Sequence, residues 1–352
     1  MNVLARVRAR SPYPEIAAVT IVALVIPLLL PELTFYMQLL MSAIVVVGLS
    51  LFMGYAGQAA LGQGAFVAVG ALTVGVFTVQ WHLPPLLALV CAPIFTAAVA
   101  ALIGWPLLRL RGHYLAFGTI AILLLVQALM GVVPLFGRGI GINGIPPLIV
   151  LPIEDAQARN SVLKLIYVVI AVILLVVALI LSHRVVTSRF GRGIRALAGS
   201  ESAAASAGVP VLGSKLRVFV LAAVFAGLVG ALGAFYFPFI NPESFPPDQS
   251  FEYVIMAVVG GVGTLWGGLV GAIAVGILLK LLNMLSTLPD MPAVMGPTLQ
   301  YAGYGLVLVL VLVFMPKGLV PTITAAWERR SARSAARSAA RKEPAVVSTP
   351  EE

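Results

Sequence analysis

The chain has 352 residues, 61% of them hydrophobic and 10% charged, with a net charge of +9 and a mean hydropathy of +1.06. Soluble domains carry about a quarter charged residues, so a water-soluble fold is excluded. The single cysteine, Cys91, excludes an internal disulfide framework.

Apolar runs of the roughly 18 or more residues that a membrane helix needs recur along the chain. They are continuous and rich in Leu, Val and Ala, not the alternating segments of about ten residues that build a membrane barrel. The pattern predicts an all-α integral membrane protein, a polytopic bundle of about ten transmembrane helices. The spans fall near 15–31, 33–53, 64–80, 84–104, 115–133, 162–182, 216–237, 251–262, 266–284 and 298–316.

Residues 1–14 hold Arg6, Arg8 and Arg10. The run behind them shows no small-x-small cleavage site, so it reads as an uncleaved first span. Between spans two and three lies GYAGQAALGQGAF, Gly54 to Phe66, with four glycines and two glutamines before Phe66. Small residues let helices approach closely. They also permit broken helices, which membranes tolerate only where the backbone is buried in protein or lines a cavity. Gln58 and Gln63 would supply polar groups at such a break, and an idle amide in lipid is costly. Two readings stand for the glycines, close packing or a solute pathway. Gln127, inside the fifth span, is a further pathway candidate.

Phe136 to Asn160, FGRGIGINGIPPLIVLPIEDAQARN, is the longest loop on its side of the membrane, marked by glycine and proline turns. With FINPESFPPDQ, Phe239 to Gln249, it is a candidate docking surface for an external protein; the alternative is a plain connector. Ser188 to Arg217 is the longest loop on the opposite side. Its Ser200–Ala207 segment reads as a short helix, capped by Ser200 or Ser202 and stopped at Gly208. A helix held between two spans can pass the motion of a soluble partner to the membrane; the bland alternative is a charged loop that only sets topology. A second glycine stretch, GGVGTLWGGLVGAIAVG, follows at Gly260 to Gly276. Shifted by 206 positions, Gly54, Gly57, Gly62 and Gly70 fall on Gly260, Gly263, Gly268 and Gly276, which fits either an internal repeat or chance in a glycine-rich chain.

Lys280 lies within a span, where an ammonium costs about 2.5–3.5 kcal/mol at the bilayer centre. It is either a counter-ion or a side chain that snorkels to the interface. After span ten, RRSARSAARSAARK repeats Arg333, Arg337 and Arg341 every four residues. This gives a basic stripe for anionic lipid or a disordered tail, and residues 343–352 read as disordered.

With both termini inside, 18 of the 22 basic residues lie in inside segments, so the basic-loop rule orients the protein N-in and C-in. The positive charge is thus a topology signal, not a nucleic-acid footprint. No phosphate-binding loop is present: Gly208 to Ser214 has serine where the motif needs lysine. His82, His113 and His183 sit in separate loops, so no metal site is expected. No nucleophile–base arrangement is readable, so no catalytic residues are expected and the chain is not read as an enzyme.

Four segments together resemble the LivM-type permease subunits of branched-chain amino acid ABC importers, over roughly residues 35–320. GYAGQAALGQGAF resembles that family's G-x-x-G-Q-x-S-L-G-x-x-A-F. GRGIRALAGSESAAASAGVPVLGSKLRVF resembles its cytoplasmic coupling loop. NPESFPPDQSFEYVIMAVVGGVGTLWG resembles its P-x-S-F segment and glycine turn, and MPKGL its terminal P-x-G-L. The resemblance implies a permease of ABC importer type in a bacterial inner membrane. It implies a second homologous permease, two cytoplasmic ATPase subunits that hold ATP and Mg, and an external solute-binding protein as partners, with no cofactor in this chain. It assigns Gly57, Gln58, Leu61 and Gly62 to the pathway, and Gln63 joins them as the second polar residue of the break. It assigns Gly191, Arg192, Arg195, Ala204, Ala205, Gly208 and Lys215 to a coupling loop at 183–217, in which Glu201 stands alone where the family carries more acid. The permease domain would span 15–320, between a basic segment at 1–14 and a tail at 321–352.

Departures from the family pattern, such as Ala60 for serine and Gln63 for histidine, bear on the solute: branched-chain amino acids, or urea and short amides. A self-contained secondary transporter or channel would need coupling charges in its spans, and only Lys280 is available. A membrane enzyme would need a catalytic cluster near an interface.

Overall fold

A computed structural model describes residues 32–286, apart from positions 111, 151 and 265, together with 318–325 and isolated positions within 16–23 and 302–313. Its helices are α1 (Leu33–Ser50), α2 (Gln63–Gly75), α3 (Pro85–Leu107), α4 (His113–Val132), α5 (Ala156–Thr187), α6 (Arg189–Gly199), α7 (Glu201–Ser206), α8 (Val211–Tyr236), α9 (Pro247–Gly260) and α10 (Gly267–Ser286). Two π-helical turns, Leu51–Tyr55 and Val76–Gln80, extend α1 and α2.

Seven of these helices are long and apolar enough to cross a membrane. They match the second to seventh and the ninth expected spans within a few residues, except that α5 overruns its expected span at both ends, to 32 residues. The eighth, α9, has 14 residues and rises about 21 Å, short of a hydrocarbon core of about 30 Å. The expected first and tenth spans lie outside the described residues, as do the basic segment at 1–14 and most of the tail.

The centre of the bundle is α2, whose residues Gln63–Gly75 are all buried. It packs on α8, α3 and α4, while α8 also contacts α1. Glycine makes the tightest crossing possible. A Cβ on Gly230 of α8 would stand 1.8 Å from the Val67 carbonyl, and one on Gly70 of α2 2.0 Å from that of Gly227. Thr96 of α3 fills the third side of this crossing, its hydroxyl donated to the Ala92 carbonyl at 2.8 Å. One layer away, Phe219 takes Phe52 and Phe66 at ring centroid distances of 5.3 Å each.

The two glycine stretches are not two copies of one arrangement. α9 packs directly on α10, with Gly260 against Gly267 and Gly271 against Met256. α1 and α2 instead lean on α8 between them. The stretches meet each other: a Cβ on Gly54 would lie 2.1 Å from the Gly263 nitrogen. Gly318, from the MPKGL segment, packs on Gly261 from the other side.

At the opposite end, a two-residue antiparallel ladder pairs Ile142 with Ile240 and Asn143 with Phe239. It joins the two loops, 136–160 and 239–249, that the sequence marks as candidate docking segments.

A methyl group at Gly230 has no room against the Val67 carbonyl. Gly230→Ala is therefore expected to cost about 1–3 kcal/mol of stability. Gly213→Ala, at a position open to space, is expected to be neutral. Thermal unfolding of both variants in detergent checks the pair, and equal midpoints would contradict the crossing.

Candidate functional site

α1 ends in its π turn at Tyr55, and α2 begins at Gln63. The backbone between them is irregular and partly buried, with Gly57 and Ala59 exposed, and its enclosed polar groups need protein partners. Gly57 adopts φ +66° and rests against Ala198 of α6, where a Cβ would be 3.0 Å from the Ala198 Cα. The Leu61 amide donates to the Thr119 hydroxyl of α4 at 2.9 Å, and that hydroxyl donates to the Ala116 carbonyl at 2.7 Å. Gly62 is glycine because the Thr119 carbonyl leaves no space for a Cβ, the gap being 2.1 Å. The Gly64 amide donates to the Ser250 hydroxyl of α9 at 3.0 Å. The break is thus stitched to α4, α6 and α9.

The loop 183–217 folds as two helices. Ser188 caps α6 by accepting the Gly191 amide at 3.0 Å, and Ser200 caps α7 by accepting the Ala203 amide at 3.3 Å. Gly191 is pressed against the Val185 and Val186 carbonyls, which sets the sharp turn out of α5. Gly208, at φ +81°, ends the second helix. The expected helix at Ser200–Ala207 is present as α7. The longer α6 is the element the sequence reading lacks, although Gly191, Ile194 and Leu197 recur every three residues as its buried face.

Glu201 joins this loop to the bundle. Its Oε1 forms an ion pair with the Nζ of Lys215 on α8 and accepts from the Gln58 Nε2 at 3.2 Å. Gln58 also donates to the Ala56 carbonyl at 3.2 Å. Lys215 is 2% exposed, so its ammonium depends on this carboxylate. Ala204 is buried beneath α7, whereas Arg192, Arg195 and Ala205 face outward.

The coupling and pathway candidates therefore meet at one end: Gln58 touches Glu201 and Gly57 touches α6. The remaining pathway candidates divide. Leu61 and Gly62 contact Thr119. Gln63 is 2% exposed, and neither its Nε2 nor its Oε1 has a partner among the described residues. Gln127 lies farther along α4 and donates to the carbonyls of Phe245 at 2.7 Å and Pro242 at 3.4 Å. It holds the chain where it turns into the bundle before α9.

A cavity of about 810 Å³ is lined by none of these six residues. Its walls come from α1, α2, α8, α9 and α10, and its polar lining includes Gln38, Ser42, Gln249, Glu252 and Tyr253. The signal for the last three lies in the sequence as a polar i, i+3, i+4 set in a mostly apolar helix. Lys280 stands at the rim, paired with Glu32 and 4.6 Å over the Phe35 ring. Among the described residues no group of three His, Cys, Asp or Glu could hold a metal ion.

Residues 33–313 match the family model described as branched-chain amino acid transport system / permease component. The high-affinity branched-chain amino acid transport system permease protein LivM of Salmonella typhimurium is 28% identical over 292 residues, covering 78% of this chain. The chain spans 66% of that relative's length. A probable branched-chain amino acid transport permease protein LivM of Methanocaldococcus jannaschii is 23% identical over 67% of this chain and 68% of its own. The L-arabinose transport system permease protein AraH of Escherichia coli is 30% identical over 36% of this chain and 37% of its own. No solved structure matches. A family match across most of the bundle, on a chain with seven membrane-crossing helices, places this multi-pass membrane protein in the branched-chain amino acid transport system permease family, whose members are transport components and not enzymes.

Proposed function

We propose that the chain is the membrane-spanning permease subunit of an ATP-driven importer for branched-chain amino acids or related small polar solutes in a bacterial inner membrane. In this reading about ten helical passes cross the membrane, the eighth completed by α9 together with the inward-turning chain before it, and both termini lie in the cytoplasm, because that orientation keeps most Arg and Lys inside. The partners are a second homologous permease, two cytoplasmic ATPase subunits holding ATP and Mg, and a solute-binding protein outside. The paired loops at Ile142–Asn143 and Phe239–Ile240 offer the outer surface, with Ile140 and Val150 strongly exposed beside them.

The observation that carries this reading is the link through Glu201. α6 and α7 present Arg192 and Arg195 to solvent. One carboxylate at the start of α7 holds both Lys215 of α8 and Gln58 of the glycine loop. A push on α6–α7 therefore reaches the break between α1 and α2 and the central helix α8 together. No bond in the solute changes; the loop passes motion, and the helices alternate which end of the path is open.

Co-purification in mild detergent tests the assembly. Wild type is expected to bring down a second permease and an ATPase, and the Arg192→Ala, Arg195→Ala variant to lose the ATPase while keeping the second permease. A chain that purifies alone and moves solute in vesicles without ATP would sink the importer reading.

The Glu201 link has its own test. Glu201→Gln leaves Lys215 buried beside a neutral partner and is expected to cost about 1–3 kcal/mol, less than for a fully buried pair because Glu201 is about one-third exposed. Lys215→Met in the same background should recover part of that loss. Strictly additive effects across the double-mutant cycle would mean the two groups are not coupled.

A further inference from the structure

The large cavity holds hydrogen-bonding groups that the fold itself does not use. Tyr253 is 2% exposed, lines the cavity, and its hydroxyl bonds to none of the described residues. One turn back on the same face of α9, Gln249 also lines the cavity, and its Oε1 is buried without a partner among the described residues. Residues four apart share a helix face, so these groups form one polar wall, to which Glu252 adds a carboxylate. An amide oxygen buried without a partner inside a membrane protein is destabilising. With the Tyr253 hydroxyl on the same face of the cavity, it points to a ligand that meets both.

The rest of the lining is mixed, with Gln38 and Ser42 of α1 polar and the α2 and α8 residues apolar. Val67 and Ala71 of α2 and Val229, Gly230 and Ala234 of α8 offer no polar side chain. The volume of about 810 Å³ falls within the range of about 300–1,000 Å³ common to small-molecule sites. A sugar carries hydroxyls around its whole ring and would leave several unmatched against this wall. An aliphatic amino acid has a polar end for the α9 groups and an apolar end for the α2 and α8 side chains.

We infer that this cavity is a solute chamber, in which Gln249 and Tyr253 hold the polar end of an aliphatic amino acid and Val67, Ala71 and Val229 enclose its side chain. The inference rests on reading the chain as a permease, and it places solute contact on α9 instead of at the glycine loop. Glu252 draws the ammonium toward the same wall.

The test uses the full chain in native membranes with Cys91→Ser and one reporter, Val229→Cys, or Ala71→Cys where the first fails to fold. A small water-soluble thiol reagent is expected to label the reporter. Leucine is expected to slow labelling in proportion to occupancy, about tenfold at about nine times its Kd, while L-arabinose leaves the rate unchanged. Adding Tyr253→Phe, which removes only the hydroxyl, should shift protection to higher leucine concentrations. A reporter that folds but resists the reagent, labelling that leucine does not slow, equal protection by arabinose, or protection unmoved by Tyr253→Phe would each overturn the chamber. ATP-dependent leucine uptake with no protection would sink the chamber and keep the importer. Protection together with ATP-independent uptake would do the reverse.

Discussion

Inside a membrane every interruption of a helix exposes amides and carbonyls that lipid cannot bond, so a broken helix survives only where other parts of the protein bond to it. The interval between Tyr55 and Gln63 is such an interruption, and the arrangement around it follows from satisfying it. Thr119 accepts the Leu61 amide, Ser250 accepts the Gly64 amide, and Gly57 fits against α6. Three separate helices are thereby drawn to one point. Beyond the break, α2 runs through the centre with every residue from Gln63 to Gly75 buried. The glycine crossing with α8 then fixes how closely the two central helices approach.

The same end of the molecule carries the loop helices α6 and α7, and their attachment is electrostatic as well as apolar. Ile194 and Leu197 bury one face of α6, while Glu201 reaches Lys215 and Gln58. An ammonium as buried as that of Lys215 is stable only beside its carboxylate. A surface helix, a central helix and the glycine loop are held through one side chain, so displacement of the first is resisted by the other two. The loop is thereby tied to the bundle at more than its two chain ends.

A second irregular stretch, between Tyr236 and Pro247, mirrors the first from the other end. The ladder to Ile142–Asn143 anchors its start, and Gln127 bonds the Phe245 carbonyl where it enters the bundle. Because the chain has already turned inward here, α9 needs only 14 residues. Its first turns present Gln249, Glu252 and Tyr253 to the cavity. The polar chamber and the short helix are two results of the same inward turn.

Composition and hydrophobic runs determined by themselves that this is a helical membrane protein, and they placed six of its seven long helices within a few residues, because twenty or so apolar residues have little else to form in lipid. The serine cap and glycine stop of α7 were equally local, since each is set by one or two backbone angles. What the sequence could not settle was which polar groups answer one another. Gln58 reads as an amide in need of a partner, and the Glu201 carboxylate it meets lies 143 residues away. Gln127 reads the same way, and its partner is the Phe245 carbonyl. The glycine register suggests a repeat, yet the two stretches pack differently and touch each other. Such partnerships depend on long-range helix packing, and a one-dimensional pattern records which side chains need a partner but not which one they meet.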